Sequence, residues 1–259
     1  MINEKLKAHA TAAIEAGVRR DGRKNDEFRP VRLERGVSHT AHGSSRVTCG
    51  QTVVIAGVKM EVGTPYPDTP DEGSLMVGAE LLPLSNPSYE SGPPSIESIE
   101  LARVVDRAIR ESKSIDLKAL CIKSAEKMWI AAADIMPLNA DGNLIDVGCL
   151  AVLAAMQDAR LPKLVDGKPQ YEDLSKEHVP MQHTPVIVTV HKVGTAYLVD
   201  PTEEEEDYSD ARLSIATLED GRLCALQKGG SGALTIADVD AMTQLAIRVS
   251  AKLRDEVLG

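Results

Sequence analysis

Cysteine is scarce and scattered in this chain. Cys49, Cys121, Cys149 and Cys224 lie far apart and form no C-x-x-C pair, which argues against both a zinc knuckle and a disulfide framework. A reducing, cytoplasmic setting fits. No apolar run approaches the roughly 20 residues that span a bilayer, and the opening MINEKLKAHA lacks the apolar core of a signal peptide, so neither membrane insertion nor export is expected. The histidines, His9, His39, His42, His178, His183 and His191, show no ligand spacing beyond the loose His39/His42 pair, so no metal and no cofactor is expected from them. No serine or cysteine nucleophile motif is evident, and no repeat or low-complexity tract beyond EEEE. An excess of basic charge is missing too. With 39 acidic against 29 basic side chains the net charge is −10, which disfavours a free-standing, nonspecific nucleic-acid binder. Contact with RNA would require a local basic patch or a more basic partner.

What is present reads as alternating helices and strands. Asn3 to Gly17 has helical amphipathicity and is followed by an arginine-dense loop, VRRDGRKNDEFRPVR. The β-branched stretch RVTCGQTVVIAGVKMEV reads as a hairpin turning at CGQT. Thirty residues rich in Pro, Gly, Ser and acids then hold one short strand near MVGAELLPL. Ile99, Ala102, Val105 and Ile109 recur at helical spacing in a helix starting near Ile96, whose polar face carries Arg103, Arg107 and Arg110 in one stripe. KMWIAAADIMPL is a strand with Trp129 in the core. Asn143 is placed to cap a buried helix over Leu144–Met156, with Asp146 completing a capping-box variant. PVIVTVHKVGTAYLVD and RLSIATLEDGRLCALQKGG each read as two strands and a turn, the latter at Glu-Asp-Gly. Thr235 to Asp238 opens a last helix with Ile236, Val239, Met242, Ala246, Val249 and Leu253 on one side. The order implies a layered α and β architecture of two comparable halves packed together.

Four constellations are candidates for chemistry. The first is LNADGNLID, where a turn leads into a helix N-terminus, the usual setting for an anion site. Leu144 and Ile145 stand where hydroxyls and a guanidinium would be wanted, and Asp146 adds negative charge, so a capped buried helix is the better reading. The second is VDPTEEEEDYSDAR: crowded carboxylates can hold a divalent cation or act as acid and base, although a solvated acidic turn is the commoner outcome. Against that outcome, Asp200-Pro201-Thr202 is an ordered turn leaving an apolar strand. The third is the arginine stripe, able to hold successive phosphates, or to be an ordinary salt-bridged face with Glu100, Asp106 and Glu111. The fourth is VRRDGRK with Arg29, Arg32 and Arg35, which contacts RNA, or an acidic partner, or is only a polar loop.

RRDGRKNDEFRPVRLERGV followed by HGSSRVTCGQTVVIAGVKMEV resembles the opening of the RNase PH family. The shared motifs are Asp21-Gly22-Arg23, Arg29-Pro30, Gly43-Ser44 and Gly50-Gln51-Thr52-Val53. SIELARVVDRAIRESKSIDLKAL resembles the family's arginine-bearing helix, and DIMPLNADG the strand and turn before its phosphate site. The resemblance covers nearly the whole chain. It implies an α+β RNase PH fold, with mixed sheets and packed helices from two related βαβ-type halves. The chain would be one domain over 1–259, with a first half at approximately 20–162 and a C-terminal half at 180–259.

Active members carry a Gly-Thr-Arg-Thr or Gly-Ser-Arg-Ser segment after Ala-Asp-Gly, whose place is taken here by Asn143, Leu144, Ile145 and Asp146. The arginine position is Ile145. Of two aspartates implicated in metal binding and acid catalysis, Asp207 matches the first and Leu213 stands at the second. The pattern is similar to the non-catalytic RNase PH-type subunit of the archaeal exosome. That resemblance implies no catalytic residue and no metal or cofactor in this chain. It further implies a hexameric ring with a catalytic RNase PH-type partner, RNA-binding cap subunits, and single-stranded RNA contacted by Arg103, Arg107 and Arg110. The rivals are an independently active metal-dependent phosphorolytic ribonuclease using Asp207, and a ring scaffold that never touches RNA.

Overall fold

The computed structural model describes residues 4–165 and 167–258. Helix α1 (Glu4–Glu15) precedes strands β1 (Val31–Arg35), β2 (Gly43–Cys49), β3 (Thr52–Gly63) and β4 (Ser74–Ala79). Then come α2 (Ile96–Glu111), β5 (Cys121–Lys123), β6 (Lys127–Asn139) and α3 (Leu144–Asp158). The chain continues through β7 (Arg160–Val165), β8 (Lys168–His178), β9 (Val186–Val193), β10 (Ala196–Val199), α4 (Glu203–Tyr208), β11 (Ala211–Thr217), β12 (Leu223–Gly229) and α5 (Ile236–Val257).

Two sheets carry the structure. The first has the order β1-β2-β3-β6-β4, with β5 also on β6, and is antiparallel except for the parallel β4/β6 pair that α2 connects as a crossover. The second, β10-β9-β11-β12, is antiparallel throughout. Because β10 and β11 flank β9, they run parallel to each other, and α4 lies in the connection between them.

Helix α3 packs against β2, β3 and β6 on one side and β9 on the other, which is why LIDVGCLAVLAAMQD is apolar almost all round. From Val147 to Met156 every side chain is buried, and one continuous core runs through both sheets. Gly43 marks a close approach of β2 to the end of α3: a Cβ there would lie 2.4 Å from the Ala155 carbonyl oxygen and the Ala159 backbone. The two-stranded hairpins turn where expected, at Gly50-Gln51, Gly194-Thr195 and Asp220-Gly221.

Several expectations are corrected. Ile99 faces solvent, whereas Ala102, Val105 and Ile109 are buried as expected and are joined there by Leu101, Val104 and Ala108. Ile236 and Val239 of α5 are likewise exposed, and the buried face of that helix is built by Met242, Leu245, Ala246, Val249 and Leu253. Thr235 and Asp238 form the reciprocal capping box there. Asn143 occupies the cap position of α3 but in a left-handed conformation (φ 59°) with no side-chain cap bond. Asp146 accepts from Thr189 rather than from the cap residue. The acidic run is a helical turn, α4, and not an open loop.

The burial of α3 gives a stability expectation. Leu150→Ala removes a fully buried side chain between the two sheets and should cost about 2–5 kcal/mol. Urea unfolding is the measurement, and a loss below 0.5 kcal/mol, roughly the level of a surface change, would contradict this packing.

Candidate functional site: a phosphate cradle filled by its own carboxylates

The site is organised by one carboxylate. Asp200, at φ 46° at the end of β10, is fully buried. Its Oδ2 accepts from the Arg29 backbone N–H at 2.7 Å, from Arg29 Nε at 2.9 Å and from Arg23 Nη1 at 2.8 Å. Its Oδ1 accepts from Arg29 Nη2 at 2.7 Å, from Asn143 Nδ2 at 2.8 Å and from the Cys49 thiol at 3.5 Å. Burial alone would raise the Asp200 pKa, but the Arg29 hydrogen bonds and charge outweigh it, with Arg23 helping, and hold it below the ordinary value.

The arginine-dense loop is therefore corrected from a surface patch to an internal clamp. Arg19 is buried and pairs with both Glu205 oxygens, at 2.9 and 2.5 Å. Arg29 also donates to the Asp141 carbonyl at 2.8 Å, tying the loop before α3. Arg20, Arg32 and Arg35 stay at the surface, on Glu204, Glu34 and Gln157.

The same loop is held from two further sides. Thr52 Oγ1 donates to the Gly142 carbonyl at 2.8 Å. A Cβ at Gly142 (φ +77°) would lie 2.4 Å from the Pro201 carbonyl oxygen, so the Ala140–Gly142 turn and the start of α4 fit only because this residue is glycine.

Every glutamate of EEEE has an assigned partner. Glu203 accepts from Asn86 Nδ2 at 2.8 Å, and Glu204 from Arg20 at 2.6 Å and the Tyr208 hydroxyl at 2.9 Å. Glu205 takes Arg19 and the Thr202 N–H, and Glu206 accepts from the Asn143 N–H at 2.8 Å. That last bond matters most. The backbone amide at the entrance of α3, which an incoming anion would need, is already occupied by a carboxylate of the chain itself.

A cleft of about 420 Å³ opens in front of this loop, lined among others by Leu144, Ile145, Asp207 and Arg212. Five carboxylates face it, Glu97, Glu100, Glu203, Glu206 and Asp207, against one guanidinium, Arg212, which Glu100 engages at 2.7 Å. His191 also lines the cleft, but burial, with Arg212 and Arg19 nearby, pushes its pKa down to about 3, so it adds no positive charge near neutrality. Such a cleft repels inorganic phosphate. Leu213 lies buried on β11 outside this lining, so of the family's pair of acids only Asp207 faces the cleft. Asp207 is exposed and makes no hydrogen bond or ion pair among the described residues. No group of three or more His, Cys, Asp or Glu among those residues has metal-binding geometry.

Asp146 is the unusual acid. It is completely buried, accepting from the Thr189 N–H at 2.9 Å and from its hydroxyl at 2.7 Å. Burial pushes its pKa up to about 7 despite those bonds. Desolvation also raises the Glu206 carboxyl, to about 7, although its side chain keeps solvent contact through the cleft.

The arginine stripe of α2 is only partly free. Arg110 is tied to Asp106 at 2.8 Å and to the Leu75 carbonyl at 2.9 Å. Arg107 reaches Gln227 at 3.3 Å. Arg103 is exposed and has no partner among the described residues. Glu100 turns to Arg212 instead of the stripe. His39 is exposed while His42 is buried, so that pair is not brought together as ligands. Arg212, Glu97, Asn86 and His191 were not anticipated. They come from four separate segments, and no local motif marks them.

The two sheets packed about α3, with the loop and acidic turn held at one point, are the arrangement of a 3′ exoribonuclease fold. Residues 27–162 match the 3′ exoribonuclease family, domain 1, and residues 183–249 match domain 2 of the same family. The chain belongs to this RNase PH family. It is 46% identical over 231 residues to the exosome complex component Rrp42 of Methanopyrus kandleri, covering 88% of this chain and 86% of the relative. With the component of the same name from Thermoplasma acidophilum it shares 41% over 256 residues, 99% of this chain and 96% of the relative. Among solved structures, it superimposes with a TM-score of 0.90 and 42% identity on a chain of the Archaeoglobus fulgidus exosome with RNA bound to the active site, covering 98% of each.

Two outcomes follow from the buried acids. Asp200→Ala leaves the Arg29 and Arg23 guanidinium groups without their shared counter-ion and should cost on the order of 3–5 kcal/mol. Asp207→Ala, at an exposed and unpaired acid, should stay within about 0.5 kcal/mol. Denaturant midpoints that are equal for the two variants would sink the clamp assignment. For Asp146, the folded pKa lies above the unfolded one, so its contribution is full below about pH 4 and is lost as pH rises through 7. Relative to Asp146→Asn, the wild type should therefore lose stability between about pH 4 and 7. Parallel pH–stability curves for the two proteins would refute that.

Proposed function

We propose that this chain is the non-catalytic subunit of a phosphate-dependent 3′-end exoribonuclease ring of the archaeal exosome type, inactive alone. It shapes the active site of a catalytic RNase PH-type partner and lends α2 arginines to the RNA path. The observation that carries the first part is the Glu206 carboxylate seated on the Asn143 amide, with Ile145 where the family's arginine belongs. Phosphoryl transfer depends on positioned positive charge and hydrogen-bond donors around the phosphate, and this cleft presents carboxylates instead. The relatives named as exosome components, and the RNA in the Archaeoglobus complex, support the assignment to such an assembly. The RNA-binding cap subunits belong to the same reading.

For RNA, the local geometry ranks the arginines. Arg103 is unencumbered, Arg107 is lightly held, and Arg110 is half neutralised by Asp106. That last ion pair is what favours the scaffold alternative, in which α2 serves packing alone.

The test has two parts. Phosphate-dependent RNA degradation should be undetectable with the purified chain and appear when the catalytic homologue is added, whereas turnover by the chain alone would overturn the reading. In the assembled ring, Arg103→Glu should weaken RNA binding several-fold and flatten its salt dependence by about one counter-ion, more than Arg110→Glu does. Unchanged affinity in all three charge reversals would leave the scaffold as the function.

A further inference from the structure

Strands β7 and β8 form a two-stranded ribbon that joins neither larger sheet. A lone pair of strands is marginal in water, so its order depends on what ties it to the body. At its base, the Arg160 N–H donates to the His42 carbonyl at 3.0 Å and the Val179 N–H to the Ala159 carbonyl at 3.0 Å. His178 Nδ1 lies 3.1 Å from the Gln157 carbonyl, and near the turn exposed Lys127 Nζ reaches the Gly167 carbonyl at 2.9 Å.

Between base and turn the ladder is broken. The register passes from Pro162↔Leu174 to Lys163↔Gln170, so Tyr171, Glu172 and Asp173 bulge out of the pairing. The bulge meets the body at His42. Its Nε2 lies 3.2 Å from the Tyr171 carbonyl, and its ring stacks on that of Tyr171, centroids 6.2 Å apart at 13°. Its Nδ1 lies 2.7 Å from the Met60 backbone nitrogen on β3.

That second contact assigns the tautomer. A backbone N–H only donates, so Nδ1 is the bare nitrogen and Nε2 carries the hydrogen that goes to Tyr171. A further proton would have to sit on Nδ1, donor against donor, and the charged ring cannot keep this position.

The charged groups around it do not compensate. Lys59 on β3 is paired with Glu61 at 2.7 Å. Asp158 at the end of α3 is engaged by the Ser44 N–H at 3.0 Å, and Asp173 of the ribbon by Lys163 at 2.7 Å. Arg160 begins β7, and Glu172 is exposed in the bulge. No carboxylate among the described residues bonds to the His42 ring. Burial, with Lys59 adding and the Tyr171 carbonyl opposing, holds its pKa below the ordinary histidine value.

We propose that His42 is a proton-operated latch: in its neutral form it pins the bulge of the β7–β8 ribbon to β3, and its protonation frees the ribbon from an otherwise intact body. The latch opens on the acid side of the ordinary histidine range.

The experiment uses the full chain. Imidazole ¹⁵N NMR should show His42 as the Nε2–H tautomer and give its titration midpoint. Hydrogen exchange, corrected for intrinsic rate, should show protection of the paired ribbon amides on either side of the bulge, at Lys168, Gln170 and Leu174, falling about tenfold or more with that midpoint. The amides of β6 should stay protected throughout. His42→Gln keeps an acceptor and a donor but does not titrate, and should make ribbon protection independent of pH. The proposal is overturned if ribbon protection ignores the His42 titration, if His42→Gln retains the step, or if β6 loses protection in parallel. Should that variant not fold, the wild-type midpoints alone decide.

Discussion

The buried carboxylate of Asp200 is the constraint on which the rest of this site depends. An isolated charge in a protein interior is severely disfavoured, so a fully buried aspartate requires donors from every side. Here they come from the N-terminal loop (Arg23 and Arg29), the end of β2 (Cys49) and the loop before α3 (Asn143). Four segments distant in sequence are thereby fixed at one point. The motifs by which the chain resembles its family converge here: Arg23 of Asp-Gly-Arg and Arg29 of Arg-Pro bind the carboxylate, while Thr52 of Gly-x-Thr holds the Gly142 carbonyl that shares the loop. These motifs build the cradle; none of them supplies the reacting charge.

That division explains how the loop before α3 keeps its shape without a bound anion. The framework is self-sufficient, because Arg29, Gly142 and the α4 glutamates satisfy one another without a bound anion. With the framework secured, replacing the arginine by Ile145 does not unfold the loop. Glu206 then completes the change by taking the Asn143 amide. The amide is satisfied within the chain, and a carboxylate stands where an anion would have to enter.

The elements were legible where periodicity is strong and burial is two-sided. LIDVGCLAVLAAMQD had to be internal, and the Glu-Asp-Gly and Gly-Thr turns carry their own conformational signal. The failures share a cause, which is that a polar side chain has several possible partners and sequence shows only the local ones. Asn143 looked like a cap because capping is the nearest use for it, yet Asp200, 57 residues on, claims its amide. Asp146 looked like the other half of a capping box, but Thr189, on the second sheet, takes it. The arginine-dense loop looked like a surface patch because its counter-charges lie about 180 residues away. Ile99 and Ile236 mislead in the opposite sense, since apolar spacing marks a face but not which of its residues a neighbouring element covers. The substitutions at Ile145 and Leu213 were readable only against the family pattern; no physical signal within one sequence marks an absent guanidinium.

The net charge of −10 now has a structural reading. Much of the acidity of residues 200–206 is consumed internally by Arg19, Arg20, Arg23 and Arg29, so neither the arginine count nor the acid count describes the surface. What remains unneutralised is unevenly placed: carboxylates crowd the cleft, while Arg103 projects alone from α2. A polyanion approaching this chain is repelled from the cleft, while along α2 it meets the uncompensated guanidinium of Arg103. The same local charge balance thus argues against phosphate binding at one place and for phosphodiester contact at the other. The proposed role, guiding RNA while a neighbour performs phosphorolysis, would call for that pairing of properties, and here both arise from which arginines the buried carboxylates have already taken.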